Sequence, residues 1–175
     1  MERIHESNNS VIDLDTDSGL VYKTLKHREV SEDWLHYYNI VRNNNDTYVK
    51  VHSVIDNRTF TMDYVDAISD LEYIIKDPSN WPLIDKDFVI RSIESYTNAY
   101  LDGLRVSRLK DNNFYFMHTD LTLDNILVDQ NKQIRIIDPE SYTWVPNLQW
   151  TEKYYITHIN MMFCLQRYFY EHVSV

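Results

Sequence analysis

The chain has 175 residues, a hydrophobic fraction of 43% and a formal net charge of −10, so it can bury a core and is too hydrophobic for a disordered chain. The negative charge argues against a nucleic-acid partner or an anionic membrane surface, and the single cysteine, Cys164, excludes an internal disulfide. Because neither a signal peptide nor an apolar run of membrane-spanning length is found, we expect a cytoplasmic protein.

The first 65 residues predict a small sheet with one helix. Apolar residues that alternate with polar ones, between clusters of turn residues, favour strands. The strands are expected at residues 1–5, 11–15, 20–25, 48–55 and 59–65. Residues 29–42 instead repeat their apolar side chains at helical spacing, which predicts a helix. We therefore expect an N-terminal lobe over residues 1–65, built mainly from antiparallel strands.

Residues 66–175 predict a mainly helical second lobe. A short helix is expected at residues 67–76 and is stopped by the prolines of the following loop. Residues 85–109 form the longest stretch of helical periodicity, and a closing helix is expected over residues 154–169. The predicted fold class is α+β, with a cleft between a small sheet and a mainly helical lobe.

The most specific pattern in the chain lies within residues 114–140. A predicted strand, residues 114–117, leads into the polar motif His118-x-Asp120-x-x-x-x-Asn125. A predicted hairpin follows, with strands at residues 126–128 and 134–137, and Asp138 comes directly after it. Because the strands of a hairpin run out and back, the two residues that flank it, Asn125 and Asp138, are expected side by side. Their oxygens are ligands that suit Mg²⁺ together with substrate phosphates.

This layout resembles the catalytic loop and metal-binding segment of the protein-kinase-like phosphotransferases, which include protein, choline and aminoglycoside kinases. The resemblance implies a two-lobed fold that binds ATP and Mg²⁺ and transfers the γ-phosphate to a hydroxyl group; a preference for ATP over GTP stays open. Asp120 would accept the proton of that hydroxyl, Asn125 and Asp138 would hold the metal, and His118 would brace the backbone of the loop.

The same resemblance implies that the N-terminal lobe binds the phosphates of the nucleotide. Lys23 stands where the family has its phosphate-binding lysine, and Glu32 of the first helix is its expected partner, with Glu29 as the alternative. The sequence departs from the family pattern in one respect: the expected glycine-rich phosphate loop is not found, since the whole chain has two glycines. Residues 6–10 (ESNNS) are the candidate replacement, because Asn and Ser tolerate tight turns.

Residues 59–66 (TFTMDYVD) resemble the hinge that joins the two lobes and binds adenine. The resemblance implies that Met62 borders the base, and that the carbonyl of Asp63 and the N–H of Val65 pair with it. Such contacts use the backbone, so a plain edge strand is the alternative interpretation of this segment.

Because its motif has small residues, the chain resembles the small-molecule branch of the superfamily, which contains the aminoglycoside and choline kinases. Thr119 and Thr122 occupy positions where Ser/Thr protein kinases carry an arginine and a lysine. We expect a hydroxyl acceptor that is a small molecule or a glycan. The chain is short for the family, so a second copy or a partner protein could complete the acceptor site. A nucleotide-binding regulatory module (a pseudokinase) and a minimal Ser/Thr protein kinase are the alternative functions.

Overall fold

A computed structural model describes residues 1–43, 47–76 and 114–146, together with positions 87, 91, 94, 98, 101, 105, 106 and 109. In these residues the fold is a mixed α+β arrangement whose sheets are antiparallel. The elements of the N-terminal part are β1 (Glu2–Glu6), β2 (Ser10–Asp15), β3 (Leu20–Leu25), α1 (Glu32–Asn43), β4 (Val51–Val54) and β5 (Thr59–Asp63). The five strands form one sheet in the order β1-β2-β3-β5-β4, so the predicted sheet with one helix is confirmed.

The third strand, β3, shows how the alternating sequence builds this sheet. Val21, Lys23 and Leu25 are buried, whereas the residues between them are partly exposed. The turn before the strand ends at Gly19, which has a φ of 69°, a conformation that glycine adopts without steric cost. Lys23 thus lies on the inner face of the sheet, between Val21 and Leu25.

Helix α1 begins three residues later than the sequence predicts. The hydroxyl of Ser31 accepts a hydrogen bond from the backbone N–H of Trp34 at 3.1 Å, which is the geometry of a helix N-cap. The helix then buries Leu35, Tyr38 and Val41 on one face. This start leaves its first residue, Glu32, exposed to solvent.

The prediction of one helix over residues 67–76 is wrong in its first half. Strand β6 (Ala67–Asp70) precedes helix α2 (Leu71–Lys76), and the carboxylate of Asp70 caps this helix through the N–H of Tyr73 at 2.7 Å. The strand forms because it pairs with a segment about sixty residues further along the chain, at Ala67–Asp129. Tertiary pairing therefore decides the structure over local propensity.

The C-terminal part contains the predicted hairpin between two further strands. Its elements are β7 (Phe114–His118), β8 (Ile126–Asp129), β9 (Ile134–Ile136) and β10 (Tyr142–Pro146). The hairpin is present as predicted; it pairs Ile126 with Ile136, and β6 joins its outer edge. Strand β10, which the sequence did not predict, pairs with β7.

Strand β9 also connects the hairpin to the N-terminal part. The N–H of Ile136 donates to the carbonyl of Thr47 at 2.8 Å, and the N–H of Val49 donates to the carbonyl of Ile136 at 3.2 Å. Buried side chains from both parts form one continuous core cluster. The hairpin that follows the motif of residues 118–125 is thus fixed against the segment between α1 and β4.

Much of the predicted long helix and all of the closing helix lie outside the described residues. At helical spacing within 85–109, the described positions Asp87, Arg91, Glu94, Asn98, Leu101 and Arg105 are helical and exposed. The predicted apolar face of this helix is not among them. In the described part of the chain, no helix is long and apolar enough to cross a membrane.

Candidate functional site

A cavity of about 490 Å³ lies where the five-stranded sheet meets the motif of residues 118–125. Four of the residues predicted for the site line it: Lys23, Asp120, Asn125 and Asp138. Its walls also include Glu140, the turn between β1 and β2, and the loop between β3 and α1. Side chains from distant parts of the sequence therefore face one space.

His118 braces the backbone of the loop that follows β7. Its Nε2 lies 3.1 Å from the carbonyl oxygen of Ile137, and its Nδ1 accepts the N–H of Asp120 at 3.3 Å. These partners require a neutral ring that carries its proton on Nε2. Burial is the main reason that the pKa of His118 falls to about 4. These contacts match the bracing role predicted for His118.

Asp120 and Asn125 are held together by the backbone of the loop between them. The side-chain amide of Asn125 donates to the carbonyl oxygen of Asp120 at 2.7 Å, and a 3-10 turn, Leu123–Asn125, shortens the path between the two residues. Because the amide nitrogen is occupied, the amide oxygen of Asn125 is the atom left for a ligand. The carboxylate of Asp120 is exposed and faces the cavity.

Asp138 lies beside Asn125, as the hairpin geometry predicts. The N–H of Ile137 donates to the carbonyl of Asn125 at 3.0 Å, which closes the hairpin at its open end. Asp138 itself has a φ of 59° and a ψ of 54°, the left-handed conformation that few residues other than glycine, Asn and Asp adopt. Strained backbone of this kind is concentrated at functional sites.

Lys23 forms a buried ion-paired cluster with two carboxylates. Its side chain is 2% exposed, and its Nζ lies 2.5 Å from Oδ1 of Asp138 and 2.7 Å from Oε1 of Glu140. Burial lowers the pKa of Lys23, but the two carboxylates outweigh this effect and the net pKa is raised. The cluster therefore keeps a charged lysine inside the protein, next to the carboxylate predicted to hold the metal.

The predicted partner of Lys23 is wrong. Glu32 is exposed at the first turn of α1, and Glu29 is exposed and accepts a hydrogen bond from the side chain of Asn57 at 3.2 Å. The cap at Ser31 sets the start of the helix, so its buried face begins only at Leu35. A carboxylate from the segment after β9 pairs with Lys23 instead.

Glu140 is the site residue that the sequence analysis missed. Its side chain is 9% exposed, and its second oxygen, Oε2, is buried without a hydrogen-bond partner among the described residues. Burial raises the pKa of Glu140, Asp138 raises it further, and Lys23 opposes them without cancelling the rise. The available signal was a second carboxylate two residues after Asp138, in the turn Asp138-Pro139-Glu140.

The predicted base contacts lie in a different cavity. Asp63 and Val65 line a space of about 450 Å³ together with Gly19, Asp129 and other residues. The N–H of Asp63 donates to the carbonyl of Lys50 at 2.9 Å, and its carboxylate lies 2.7 Å from His52. The structure thus does not bring Asp63 and Val65 to the cavity of Asp120, because the chain after β5 turns to pair with β8.

The turn proposed as a phosphate loop bonds to itself. The hydroxyl of Ser7 accepts the N–H groups of Asn9 and Ser10, each at 3.1 Å. The side chain of Lys26 donates to the carbonyl of Ser7 at 2.7 Å. Although the turn lines the cavity, these two N–H groups are already satisfied and are not directed toward a ligand.

The donor atoms of the site fit Mg²⁺ better than a metal that needs a complete protein cage. Within the described residues, no group of three or more His, Cys, Asp or Glu side chains is arranged to hold a metal. Mg²⁺ is commonly bound by one or two carboxylates, with phosphate oxygens and waters completing its shell. The buried Oε2 of Glu140, which has no hydrogen-bond partner within the part of the chain that the structure describes, is the kind of acceptor that a cation satisfies.

Comparisons with known proteins add no assignment to this geometry. The chain matches no protein-family model, and no curated protein matches its sequence. The functional interpretation therefore depends on the motif and on the arrangement of its residues.

Proposed function

We propose that the protein is a Mg²⁺-dependent phosphotransferase with a two-lobed, protein-kinase-like fold, which moves the γ-phosphate of ATP to a hydroxyl of a small molecule or glycan. One observation carries this proposal: Lys23 and Asp138, 115 residues apart in sequence, are hydrogen-bonded in a cavity that Asp120 and Asn125 also line. A lysine, a metal-type carboxylate, an amide and an exposed carboxylate are the parts that phosphoryl transfer requires.

Asp120 is the group that orients the acceptor. It accepts a hydrogen bond from the hydroxyl, whose oxygen forms a bond to the γ-phosphorus while the bond from that phosphorus to the bridging oxygen of ADP breaks. The proton of the hydroxyl passes to Asp120 late in the transfer. His118, neutral and bonded to the backbone at both nitrogens, holds the loop in place during this step.

Asn125, Asp138 and Glu140 are the residues that would hold Mg²⁺. When bound, the ion neutralises charge on the phosphate oxygens and on the leaving group. Lys23 supplies a cation next to these carboxylates, and its raised pKa keeps it protonated at neutral pH. Phosphate binding then requires Lys23 to share its donors between the nucleotide and Asp138.

The turn between β1 and β2 favours a second candidate, a nucleotide-binding regulatory module without turnover. Two of its N–H groups are satisfied by Ser7, so it offers less to a triphosphate than a glycine-rich loop does. The two candidates differ in whether ADP is released when hydroxyl compounds are supplied with Mg²⁺ and ATP.

Calorimetric titration of the full chain with ATP, with and without Mg²⁺, tests the proposal. We expect Mg²⁺-dependent binding that Asp138→Asn abolishes, because Asn tolerates the left-handed backbone but lacks the charge. Asp124→Asn is the matched control, since Asp124 is exposed and lines the same cavity without an assigned role. The absence of ATP binding by the unmodified protein would overturn the proposal.

Asp120→Asn separates the two candidates. This variant keeps the shape of the loop and should bind Mg²⁺ and ATP as the unmodified protein does. Loss of ADP release in the variant supports the phosphotransferase. ATP binding without ADP release from the unmodified protein, across a set of sugars, amino alcohols and nucleosides, supports the regulatory module.

A further inference from the structure

The cavity has one more cationic side chain, which the catalytic motif does not explain. Arg28 lies in the loop between β3 and α1 and lines the cavity with Asp120 and Asn125. It is exposed, and its guanidinium donates to the backbone carbonyl of Glu140 at 3.4 Å. Among the residues that the structure describes, this carbonyl is its polar contact, and no carboxylate pairs with it.

Neighbouring cations on the sheet are already neutralised. Arg3 pairs with Glu6 and Asp13, and Lys26 also pairs with Glu6. Lys23 is shared between Asp138 and Glu140. In this region of the described chain, Arg28 is thus the permanently charged side chain whose charge no carboxylate balances.

The catalytic loop supplies no cation of this kind. Residues 119–125 (TDLTLDN) contain no lysine or arginine, and four carboxylates line the cavity, those of Asp120, Asp124, Asp138 and Glu140. A nucleoside triphosphate that enters this acidic space needs positive charge beyond Lys23. Arg28 is placed to provide it.

The backbone on both sides of Arg28 is fixed. The N–H of Lys26 donates to the carbonyl of Asn9, and the N–H of Val30 donates to the carbonyl of Asn57, each at 2.8 Å. These bonds attach the loop to the turns at either side of it. A side chain carried on an anchored backbone loses less conformational entropy when it binds a ligand.

We propose that Arg28 binds the terminal phosphate of the nucleoside triphosphate, an inference that rests on the proposed function. Its guanidinium donates to the backbone carbonyl of Glu140, two residues from Asp138, and it lines the same cavity as the carboxylate that would hold the phosphates through Mg²⁺. The planar guanidinium donates two parallel hydrogen bonds to phosphate oxygens. Arg28 thereby makes the cavity selective for the triphosphate over the diphosphate, and its contact is lost when the phosphate is transferred.

Titrations of the full chain with ATP and with ADP, both with Mg²⁺, test this assignment. Because a hydrogen-bonded charge is lost, Arg28→Gln should weaken ATP binding about 10-fold to 100-fold and change ADP binding by less than about twofold. Arg28→Lys should fall between the two proteins, since it keeps the charge without the paired donors. Arg58→Gln, the same charge change on the turn between β4 and β5, should bind both nucleotides normally.

Two results would overturn the inference and leave the proposed function standing. One is unchanged ATP binding by Arg28→Gln, including the case in which this variant only raises the KM for an acceptor. The other is an equal weakening of ATP and ADP binding. If neither the unmodified protein nor Arg58→Gln binds ATP, both the proposed function and the role of Arg28 fail.

Discussion

At the scale of single residues, His118 links the stability of the protein to pH. The ring is buried and bonded to the backbone at Ile137 and Asp120, so in the native state it is neutral and takes up no second proton at neutral pH. Its pKa of about 4 in the folded protein lies below the ordinary value of 6.5. The unfolded chain therefore takes up a proton between these two pH values, whereas the folded protein does not.

The native protein should consequently lose stability as the pH falls from above 6.5 toward 4. The shift corresponds to a loss of about 3 kcal/mol when the whole window is crossed. Urea unfolding at pH 7.5 and at pH 5.0 measures the part of this loss that falls above pH 5.0, about 2 kcal/mol, and His118→Gln should remove most of it while lowering stability at pH 7.5. Glu140, whose pKa is raised, contributes with the opposite sign in both proteins, so the difference between them isolates His118. Equal losses on acidification would contradict the prediction.

At the scale of elements, the Lys23 cluster joins strand β3 to the segment after β9. Lys23→Met removes the cation and leaves the carboxylates of Asp138 and Glu140 close together in a largely buried place. Breaking a buried ion pair from one side costs about 3 kcal/mol or more, whereas replacing both partners with apolar side chains is often close to neutral.

The double variant Lys23→Met with Glu140→Leu should therefore be more stable than Lys23→Met alone. Chemical unfolding of the unmodified protein, the two single variants and the double variant forms a complete mutant cycle. Coupling of at least about 1 kcal/mol is expected, because the residues share one hydrogen-bonded cluster. If the two substitutions simply add, the ion pair between Lys23 and Glu140 does not contribute to stability.

The elements that could be predicted are those whose causes lie close by in sequence. The alternating pattern of β3 and the turn residues beside it act within a few positions, and the hairpin of β8 and β9 brings Asn125 and Asp138 together by its own geometry. Strand β6 could not be predicted in this way, because it exists only through its pairing with β8.

The partner of Lys23 could not be predicted from the sequence for a similar reason. Helical spacing identifies which side chains of α1 share a face, but the cap at Ser31 decides where that face begins. Glu140 reaches Lys23 only because Asp138 adopts a left-handed backbone and the 3-10 turn Pro139–Ser141 follows it. Neither feature leaves a periodic signal in the sequence.

At the scale of the whole molecule, aromatic side chains fix helix α1 to the C-terminal part. The indole N–H of Trp34 donates to the carbonyl of Tyr142 at 3.1 Å, and the hydroxyls of Tyr142 and Tyr48 are 2.6 Å apart. Trp34 also stacks on Tyr38, with ring centroids 5.5 Å apart. Tyr38 donates in turn to the carbonyl of Val49 at 2.7 Å. The position of the helix is thus set by a buried network.

This network predicts that nucleotide binding leaves α1 unchanged. In an enzyme whose helix carries the partner of the phosphate-binding lysine, a ligand at the lysine also orders the helix. Here Glu29 and Glu32 are exposed and Lys23 pairs with Asp138 and Glu140, so among the described residues no ion pair joins Lys23 to α1. Amide hydrogen exchange with and without Mg²⁺ and ATP reports such local stability directly.

We expect Mg²⁺ and ATP to slow exchange in residues 118–125 and 137–141, and to leave the rates in the helix Glu32–Asn43 unchanged. Asp138→Asn, which should not bind Mg²⁺ and ATP, is the control for changes in exchange rate that the added nucleotide causes without binding to the protein. Protection that extends into the helix would mean that binding moves Glu29 or Glu32 to Lys23 and releases Glu140. In that case the buried cluster would be one of two arrangements of the site, and the aromatic network would have to repack between them.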